Sequence, residues 1–565
     1  MLARTNVDVF VYFQKLSAPA LVPNVVCSDG NHEPAIQADA LQALDEESRK
    51  LFVLEKVYGY TSFRDGQLES IDAILQGKDT LVLLPTGGGK SVIYTVPAIL
   101  KQGLTVIVEP LKFIMEEQAM KLRQKQIPAF FYNSSLTNTE MEYVINFFCQ
   151  QDVPYALLFT SPECIVSTRL QTVLKRWNDN GKLNFIAIDE AHCVDVWGQA
   201  FRPDYLKLGI LKDFNVPVVA LTGTGTKTVK DKIITTLKMD TPLIVARPGA
   251  RRNLSISIVD KKEKSKQQVA KYINDTCPGQ RGIVYCLKQK ETVDLAHELK
   301  KANVNAVFVH GGLSDIERKQ NASAWQNGLV QVICATKSFG MGVDVKDVRF
   351  VLHLSFSESL EDYFQEIGRA GRDGASALCT LLFRHEDRAF HLHNIMKIED
   401  EDIKKHKYAM LNKMVKYCDT YTCRHKFISE YFGEDSPACE EHCDACTSNT
   451  SHAPRDYSML SKVIIQGLSV VQHVHNKVTT LLLCQFLMGS STTEIKALGL
   501  DKLFEFGSAK VHYSQRNGRK ELKRLIYHLV CLGVIKEVPY GTADRPGITI
   551  AIGSTTDLER DLHFS

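Results

Sequence analysis

The feature that most constrains this chain is PTGGGKS at residues 85–91, which directly follows the apolar run TLVLL at residues 80–84. This order predicts a buried strand, then a glycine-rich loop, then a helix. Glycines let backbone N–H groups turn toward phosphate oxygens, Lys90 adds a positive charge, and Ser91 offers an oxygen to Mg²⁺. The residues predicted to surround the phosphates are Thr86, Gly87, Gly88, Gly89, Lys90 and Ser91. Leu84 stands where the general pattern has its first glycine. A ligand-free turn is the alternative, but the sequence favours a nucleotide site.

A second apolar run, at residues 185–188, ends in two adjacent carboxylates, Asp189 and Glu190. Two acids at the carboxyl end of a strand can divide the work of hydrolysis. Asp189 is predicted to hold Mg²⁺ through its water shell, and Glu190 to orient and deprotonate the attacking water. A solvated acidic turn is the alternative. Behind a phosphate loop, the pair indicates a nucleoside-triphosphate hydrolysis site.

A third block, QEIGRAGR at residues 365–372, contains Gln365 and two arginines, Arg369 and Arg372. Because the arginines are three residues apart, both can lie on one face if the block is helical. Their guanidinium groups could neutralise charge on a transferring phosphoryl group. Taken alone, the block is better explained as an ordinary basic helix face, and only its company with the other two blocks favours a role in hydrolysis.

Together these blocks resemble the RecQ family of DNA helicases, and the resemblance runs in order from about residue 55 to about residue 550. It implies an α/β fold with two RecA-like parallel-sheet lobes, followed by a zinc-binding helical subdomain and a winged-helix domain. It also implies ATP, Mg²⁺ and Zn²⁺ as cofactors. In YGYTSFRDGQ at residues 58–67, Gln67 is expected to bond to adenine, with Tyr60 and Arg64 flanking it.

The segment CVDVWGQAFRPDY at residues 193–205 is similar to the aromatic-rich loop with which this family senses single-stranded DNA. Exposed rings can stack on bases, and an arginine can hold phosphate. The expected DNA contacts are Trp197, Phe201, Arg202 and Tyr205. A buried aromatic corner is the alternative.

Several positions depart from the family pattern where nucleotide state is passed to DNA. Gln199 and Ala200 stand where His and Asp are usual, which puts the tightness of that coupling in question. Gly223 and Gly225 replace alanines and loosen their segment. Lys288 and Gln289 also differ from the usual Ser and Arg. None of these changes removes a residue predicted to act in hydrolysis.

Four cysteines indicate a metal site: Cys423, Cys439, Cys443 and Cys446, the last three in CEEHCDAC. Thiolates at such separations can surround one Zn²⁺ tetrahedrally. His442 could compete as a ligand, and separate buried thiols or a redox pair are further alternatives. The segment resembles the RecQ zinc subdomain.

Residues from about 458 to 553 are predicted to form helices followed by a β hairpin. In YSQRNGRKELKRLIYHLV at residues 513–530, an apolar stripe should pack inward and the basic residues should face out. This resembles the family's winged-helix domain, which grips duplex DNA. The expected DNA contacts are Arg516 and Arg519, with Tyr540 near the hairpin tip as a strand-separating wedge. A merely solvated basic helix is the alternative.

Whole-chain properties agree with this reading. The chain has 68 lysines and arginines and 65 acidic residues, which gives a net charge of +3. With so small a net charge, nucleic-acid binding must come from local basic stretches. The 15 cysteines suit a reducing compartment. The sequence shows neither a run of eighteen apolar residues nor a cleavable leader, so membrane insertion and secretion are not expected. The expected domains are residues 1–50 of unknown role, 51–246 and 247–405 as the lobes, 406–450 with zinc, and 451–565 as the winged helix and tail.

The sequence therefore predicts an ATP-dependent 3′ to 5′ DNA helicase, with the polarity implied by the family resemblance. Its expected partners are single-stranded and forked or branched duplex DNA, together with unidentified genome-maintenance proteins. We expect it in the nucleus, or in the cytoplasm or nucleoid of a bacterium. One alternative is an ATP-switched DNA-structure-binding or annealing factor with weak unwinding. An RNA helicase is disfavoured by the cysteines and the winged helix.

Overall fold

The computed structural model describes residues 36–85, 87–150, 154–196, 203–223, 225–247, 251–339, 345–434, 436–448, 455–512, 518–542, 546–553 and 563–564. They form two compact units, the first holding most of residues 36–247 and the second most of residues 251–564. Among the described helices, none is both long enough and apolar enough to span a bilayer.

The first unit is built on a parallel sheet of seven strands. These are β1 (Thr80–Leu83), β2 (Gly103–Val108), β3 (Ala129–Tyr132), β4 (Tyr155–Thr160), β5 (Leu183–Ile188), β6 (Val218–Thr222) and β7 (Leu243–Ala246). Their order across the sheet is β3-β4-β2-β5-β6-β1-β7. Strands β1, β2, β4, β5 and β6 are buried at every position. Continuous burial is what a parallel sheet covered on both faces requires, and it explains the apolar runs in the sequence.

One helix of the first unit, at Glu46–Tyr58, begins and ends with capping residues that the sequence supplies. The side chain of Asp45 accepts a hydrogen bond from the backbone N–H of Ser48, and Gly59 ends the same helix with φ +71°. The helices are α1 (Ala38–Gln42), α2 (Glu46–Tyr58), α3 (Gln67–Leu75), α4 (Lys90–Lys101), α5 (Lys112–Arg123), α6 (Asn138–Gln150), α7 (Pro162–Ile165), α8 (Thr168–Asp179), α9 (Cys193–Val196) and α10 (Lys227–Thr236), with a 3₁₀ helix at Pro203–Phe214.

The second unit begins with a parallel sheet of six strands. These are β8 (Leu254–Asp260), β9 (Gly282–Tyr285), β10 (Ala306–Val309), β11 (Val332–Ala335), β12 (Phe350–His353) and β13 (Ala377–Phe383), in the order β10-β11-β9-β12-β13-β8. Alternate residues build apolar cores on its two faces, with Ile283 in one core and Val284 in the other. The helices are α11 (Ser265–Thr276), α12 (Gln289–Lys301), α13 (Asp315–Gln326), α14 (Leu360–Ile367) and α15 (Arg388–Ile395), with a 3₁₀ turn at His385–Asp387.

A helical segment with α16 (Glu401–Asp419), α17 (Arg424–Tyr431) and α18 (Asp444–Thr447) continues the edge of this sheet. The N–H of Ile256 in β8 donates to the carbonyl of His442 at 3.0 Å, and the N–H of Ile258 donates to the Asp444 carboxylate at 3.0 Å. These bonds use backbone groups of β8 that an open sheet edge would leave unpaired.

The last part of the second unit is a set of helices with an antiparallel hairpin. Its elements are β14 (Arg455–Asp456), α19 (Ser458–Val474), α20 (Thr480–Leu487), α21 (Thr493–Ala497), α22 (Gly518–Cys531), β15 (Ile535–Gly541), β16 (Pro546–Ile552) and β17 (His563–Phe564), with 3₁₀ turns at Leu500–Lys502 and Lys510–His512. Strands β15 and β16 pair in antiparallel register, as do β14 and β17. The predicted fold class, two parallel-sheet lobes followed by a helical cysteine segment and a helix-and-hairpin domain, is confirmed.

A buried ion pair fixes the hairpin to the parallel-sheet part of the second unit. Arg388 of α15 donates from Nε to the Glu537 carboxylate of β15 at 2.8 Å, and both side chains are 0% exposed. Tyr408 also donates to this carboxylate, at 3.2 Å. The Nη1 atom of Arg388 is buried without a hydrogen-bond partner. Because both charged groups are removed from water, each charge is stabilised by the other.

Replacing one partner should therefore loosen the hairpin. We expect Glu537→Ala to cost about 3–5 kcal/mol of local stability, because it leaves a buried guanidinium uncompensated. Amide hydrogen exchange of β15 and β16, read by mass spectrometry, measures this cost. Lys520→Ala is the matched control, since it breaks an exposed pair with Asp260 (63% and 72% exposed) and should cost less than about 1 kcal/mol. Equal exchange rates in the two variants would contradict the role of the buried pair.

Candidate functional site

The glycine-rich loop has the backbone shape that its sequence predicts. It follows β1, and both Gly87 (φ +85°) and Gly89 (φ +77°) lie in the left-handed region that favours glycine. A Cβ on Gly89 would lie 2.4 Å from Nε2 of Gln67, so this glycine also allows a close approach. Helix α4 begins at Lys90, the next residue. Thr86 lies outside the described residues.

The two predicted acids lie beside the lysine of this loop. Nζ of Lys90 is 3.7 Å from Oε2 of Glu190, and Nδ1 of His192 is 3.3 Å from the same oxygen. The backbone N–H of Glu190 donates to Asp189 Oδ1 at 2.8 Å. Burial raises the pKa of Asp189, and the charge of Lys90 opposes that rise. Lys90 and the paired acids thus meet at one edge of the sheet.

Glu190 holds an unusual backbone conformation at this point. Its φ is +48°, in the left-handed region, which few residues other than glycine adopt. Nearby, Nδ1 of His192 is 3.1 Å from Oγ1 of Thr222, at the end of β6. Strained backbone of this kind is typical of functional sites.

Sequence reasoning missed Gln118, which contacts the predicted magnesium ligand. Ser91 donates from Oγ to Oε1 of Gln118 at 3.4 Å, and the hydroxyl of Tyr94 donates to the same oxygen. Gln118 lies in α5 and is distant in sequence from the phosphate loop. A lone glutamine in a helix gives no signal of such a contact in one sequence.

Sequence reasoning also missed a third acid, Glu109. It follows β2 within the segment TVIVEPL and is only 1% exposed. Burial, reinforced by the negative charges of Asp189 and Glu190, raises the pKa of the Glu109 carboxyl well above its usual range. A signal did exist, because Glu109 ends a buried strand just as Asp189 does.

The predicted adenine-binding residues lie together, although Gln67 is used internally. Its Oε1 accepts from the Arg64 N–H at 2.9 Å, and its Nε2 donates to the Gly89 carbonyl at 3.1 Å. The Arg64 guanidinium lies 5.7 Å from the centre of the Tyr60 ring. Gln67 therefore ties the segment before α3 to the phosphate loop, and its contact with a base stays a prediction.

The arginine block belongs to the second unit, and one premise about it is wrong. Helix α14 carries Gln365 but ends at Ile367, so Arg369 and Arg372 lie in the turns that follow and share no helical face. The side chain of Glu366, in this helix, belongs to a buried hydrogen-bond network. Ser357 donates to its Oε2 at 2.6 Å, and Nε2 of His353 lies 2.9 Å from the same oxygen. The roles of Gln365 and of both arginines in hydrolysis stay predictions.

The aromatic segment is described at residues 193–196 and 203–205 only. Trp197, Gln199, Ala200, Phe201 and Arg202 lie outside the described residues. Tyr205 is 0% exposed, and its hydroxyl donates to the backbone carbonyl of Asp189 at 3.5 Å. The expected exposed ring is therefore wrong for Tyr205, because the 3₁₀ helix that begins at Pro203 packs this side chain into the core.

The four cysteines meet as their spacing predicts. Their Sγ atoms all lie within 4.8 Å of one another, with 3.8 Å between Cys439 and Cys446 and 4.0 Å between Cys443 and Cys423. A tetrahedron with Zn–S bonds of about 2.3 Å has sulfur atoms about 3.8 Å apart, so the cage fits zinc. The Cys439 N–H donates to the Cys423 sulfur at 3.2 Å, as expected for a thiolate ligand. His442, the competing ligand, is not in this cluster of described residues.

Zinc removal should unfold the segment that carries these cysteines, because in so small a unit the coordination energy is folding energy. We expect Cys443→Ser to lose bound zinc and to lower the melting temperature, measured by elemental analysis and circular dichroism. Cys418→Ala is the control, since this buried thiol of α16 is not part of the cluster. Zinc retained in Cys443→Ser and lost in Cys418→Ala would contradict the assignment.

The basic helix α22 packs as predicted, but several of its basic side chains form ion pairs within the second unit. Leu522, Leu525, Ile526 and Leu529 are buried. Three basic side chains bind acids elsewhere in the second unit: Lys520 to Asp260 at 2.8 Å, Lys523 to Glu386, and Arg524 to Asp419 at 3.5 Å. Arg519 is exposed and donates to the Ser490 hydroxyl at 2.7 Å. Arg516 lies outside the described residues.

Tyr540 lies in β15 close to the end of the hairpin. It is 47% exposed, and its ring covers Gly547 of β16, where a Cβ would lie 2.4 Å from the ring. A half-exposed ring at this place is compatible with the predicted wedge. The wedge itself stays a prediction.

Four family models match the chain in order. They are the DEAD/DEAH box helicase (64–232), the helicase conserved C-terminal domain (264–374), RecQ zinc-binding (386–447) and the RQC domain (456–549). The ATP-dependent DNA helicase RecQ of Pasteurella multocida is 34% identical over 491 residues, which cover 86% of this chain and 75% of that protein. The chain belongs to the RecQ family.

Similarity to RecQ proteins extends to eukaryotes. The ATP-dependent DNA helicase hus2/rqh1 of Schizosaccharomyces pombe is 35% identical over 523 residues, which cover 90% of this chain. This chain spans only 39% of that relative's length. Among solved structures, the helicase MrfA bound to DNA and AMPPNP aligns with a TM-score of 0.51 and 17% identity, over 72% of this chain and 59% of that one. At this identity the likeness supports the fold alone.

Proposed function

We propose that this chain is an ATP-dependent DNA helicase that moves 3′ to 5′ on single-stranded DNA and unwinds duplex or branched DNA in recombination and repair. The observation that carries the proposal is the Lys90–Glu190 contact of 3.7 Å beside Asp189, directly after a glycine loop of the required shape. Relatives whose names describe ATP-dependent DNA helicases support the substrate. The polarity rests on RecQ membership.

In this proposal the first lobe, residues 51–246, holds the nucleotide. The phosphate loop and Lys90 hold the phosphates, and Glu190 accepts the proton of the attacking water. Ser91 and Asp189 hold Mg²⁺, which when bound offsets phosphate charge. Tyr60, Arg64 and Gln67 bind adenine. From the second lobe, residues 247–405, the block containing Gln365, Arg369 and Arg372 stabilises the charge on the transferring phosphoryl group.

DNA contacts in this proposal come from three places. Trp197, Phe201 and Arg202 hold the single strand, Arg516 and Arg519 the duplex, and Tyr540 divides the strands. The zinc segment, residues 406–450, connects the motor to the winged helix, residues 451–565. We place the protein in the nucleus, with genome-maintenance proteins as partners. A tagged full chain excluded from nuclei would contradict that location.

Hydrolysis is the first test of the proposal. We expect single-stranded DNA to stimulate ATP hydrolysis, and Lys90→Ala to lower the stimulated rate by about 10²-fold or more, because phosphate charge loses its fixed partner. Lys101→Ala, at the other end of α4, should hydrolyse normally. A rate in Lys90→Ala equal to that of the parent protein would defeat the proposal. An ATP-switched annealing factor would instead bind ATP with little DNA stimulation.

Strand displacement on tailed duplexes tests unwinding in the same preparations. A 3′ tail should support displacement and a 5′ tail should not. Tyr540→Ala should slow displacement while leaving hydrolysis intact, because the wedge acts on strands and not on ATP. Displacement of forked DNA at the parental rate by Tyr540→Ala would remove the wedge.

A further inference from the structure

The end of β2 presents a side chain that no predicted step uses. Val108 of β2 and Ile188 of β5 are partners in parallel register. The Asp189 N–H donates to the Val108 carbonyl at 2.9 Å, which holds the two strand ends together. The residues that follow, Glu109 and Asp189, therefore leave the sheet side by side.

Glu109 is buried with little to stabilise its carboxyl group. It is 1% exposed, and the hydrogen bond that reaches it from the described residues is the Leu111 N–H at 3.3 Å. One long bond is weak compensation for removing a carboxyl from water. Burial of a carboxyl costs free energy that an apolar side chain would not, so packing alone does not account for an acid at this position.

The surroundings of Glu109 carry an excess of negative charge. Burial, and then the negative charges of Asp189 and Glu190, raise the pKa of the Glu109 carboxyl, whereas the charge of Lys90 lowers it. The positive charge of Lys90 is already used by Glu190, because its Nζ lies 3.7 Å from that carboxylate. Three carboxyls with one lysine form an arrangement that a divalent cation would balance. The phosphate loop, with Ser91 as a hydroxyl ligand, independently marks this edge as the place for such a cation.

We propose that Glu109 is a further residue of the cation site, where it strengthens divalent-cation binding through the ion's water shell beside Asp189. This inference rests on the proposed nucleotide site. Mg²⁺ keeps several waters and is typically held through one or two carboxylates, so a third carboxyl can act on those waters. Glu109 is a positioning residue in this role, because it does not touch the reacting atoms. The competing explanation is a structural acid that only holds the turn at Leu111.

Cation binding can be measured without turnover. Mn²⁺ is titrated into the full chain with and without ADP, and free Mn²⁺ is followed by electron paramagnetic resonance. Glu109→Gln keeps the shape but cannot ionise when a cation binds, and Glu109→Ser removes the carboxyl group altogether. The control is Glu117→Gln in α5, whose carboxylate pairs with Lys121 at 2.6 Å away from the loop. Zinc content and melting temperature verify that each variant is folded.

We expect both Glu109 variants to weaken ADP-dependent Mn²⁺ binding about tenfold, as is usual when an outer partner of a metal is removed. Glu117→Gln should bind as the parent does, and ADP affinity without divalent cation should be unchanged in all three. If either folded Glu109 variant binds Mn²⁺ with parental affinity, the role of Glu109 is overturned. If the parent itself shows no ADP-dependent Mn²⁺ binding, the nucleotide site fails and the inference fails with it.

Discussion

The parallel register of β5 with β2 and β6, and of β6 with β1, is the constraint on which the candidate site depends. In a parallel sheet every strand delivers its carboxyl end to the same edge, so residues far apart in sequence meet there. Glu109 and Asp189 directly follow β2 and β5, and Lys90 lies beyond the glycine-rich loop that follows β1. The close contact of Gly89 with Gln67 and the left-handed backbone of Glu190 then set the local geometry. The fold thereby concentrates unlike charges in a buried place where each interaction is stronger than it would be in water.

A second set of constraints joins the remaining parts of the second unit. Strand β8 donates backbone hydrogen bonds to the segment around the cysteines, and Arg424 binds Asp444 within it at 2.9 Å. The metal cage is thus attached to the parallel sheet and not to a free loop. The hairpin is attached by the buried Arg388–Glu537 pair. Much of the basic charge on α22 is already neutralised by acids of the same unit, which leaves fewer groups of that helix for a phosphate backbone.

Sequence patterns succeeded where a local arrangement of residues is sufficient. The glycine loop, the strand-end acids and the four cysteines each combine chemistry with a fixed spacing, so the structure matches the geometry they predict. Patterns failed where distant contacts decide. The arginine block leaves its helix early, and the carbonyl of Gly371, at φ +56°, accepts a hydrogen bond from Asn253 at 2.9 Å. Tyr205 is buried by tertiary packing, Glu109 meets Asp189 only through strand order, and the acids that bind α22 lie more than a hundred residues away.

The central claim is that the paired acids beside Lys90 cleave ATP and do not merely bind it. The most direct measurement compares ATP binding and DNA-stimulated hydrolysis in Glu190→Gln, which removes the base but keeps the side chain's shape. The account predicts that ATP affinity stays near that of the parent protein while hydrolysis falls by about 10²–10⁴-fold, the usual contribution of a general base. Hydrolysis at the parental rate in Glu190→Gln would contradict it.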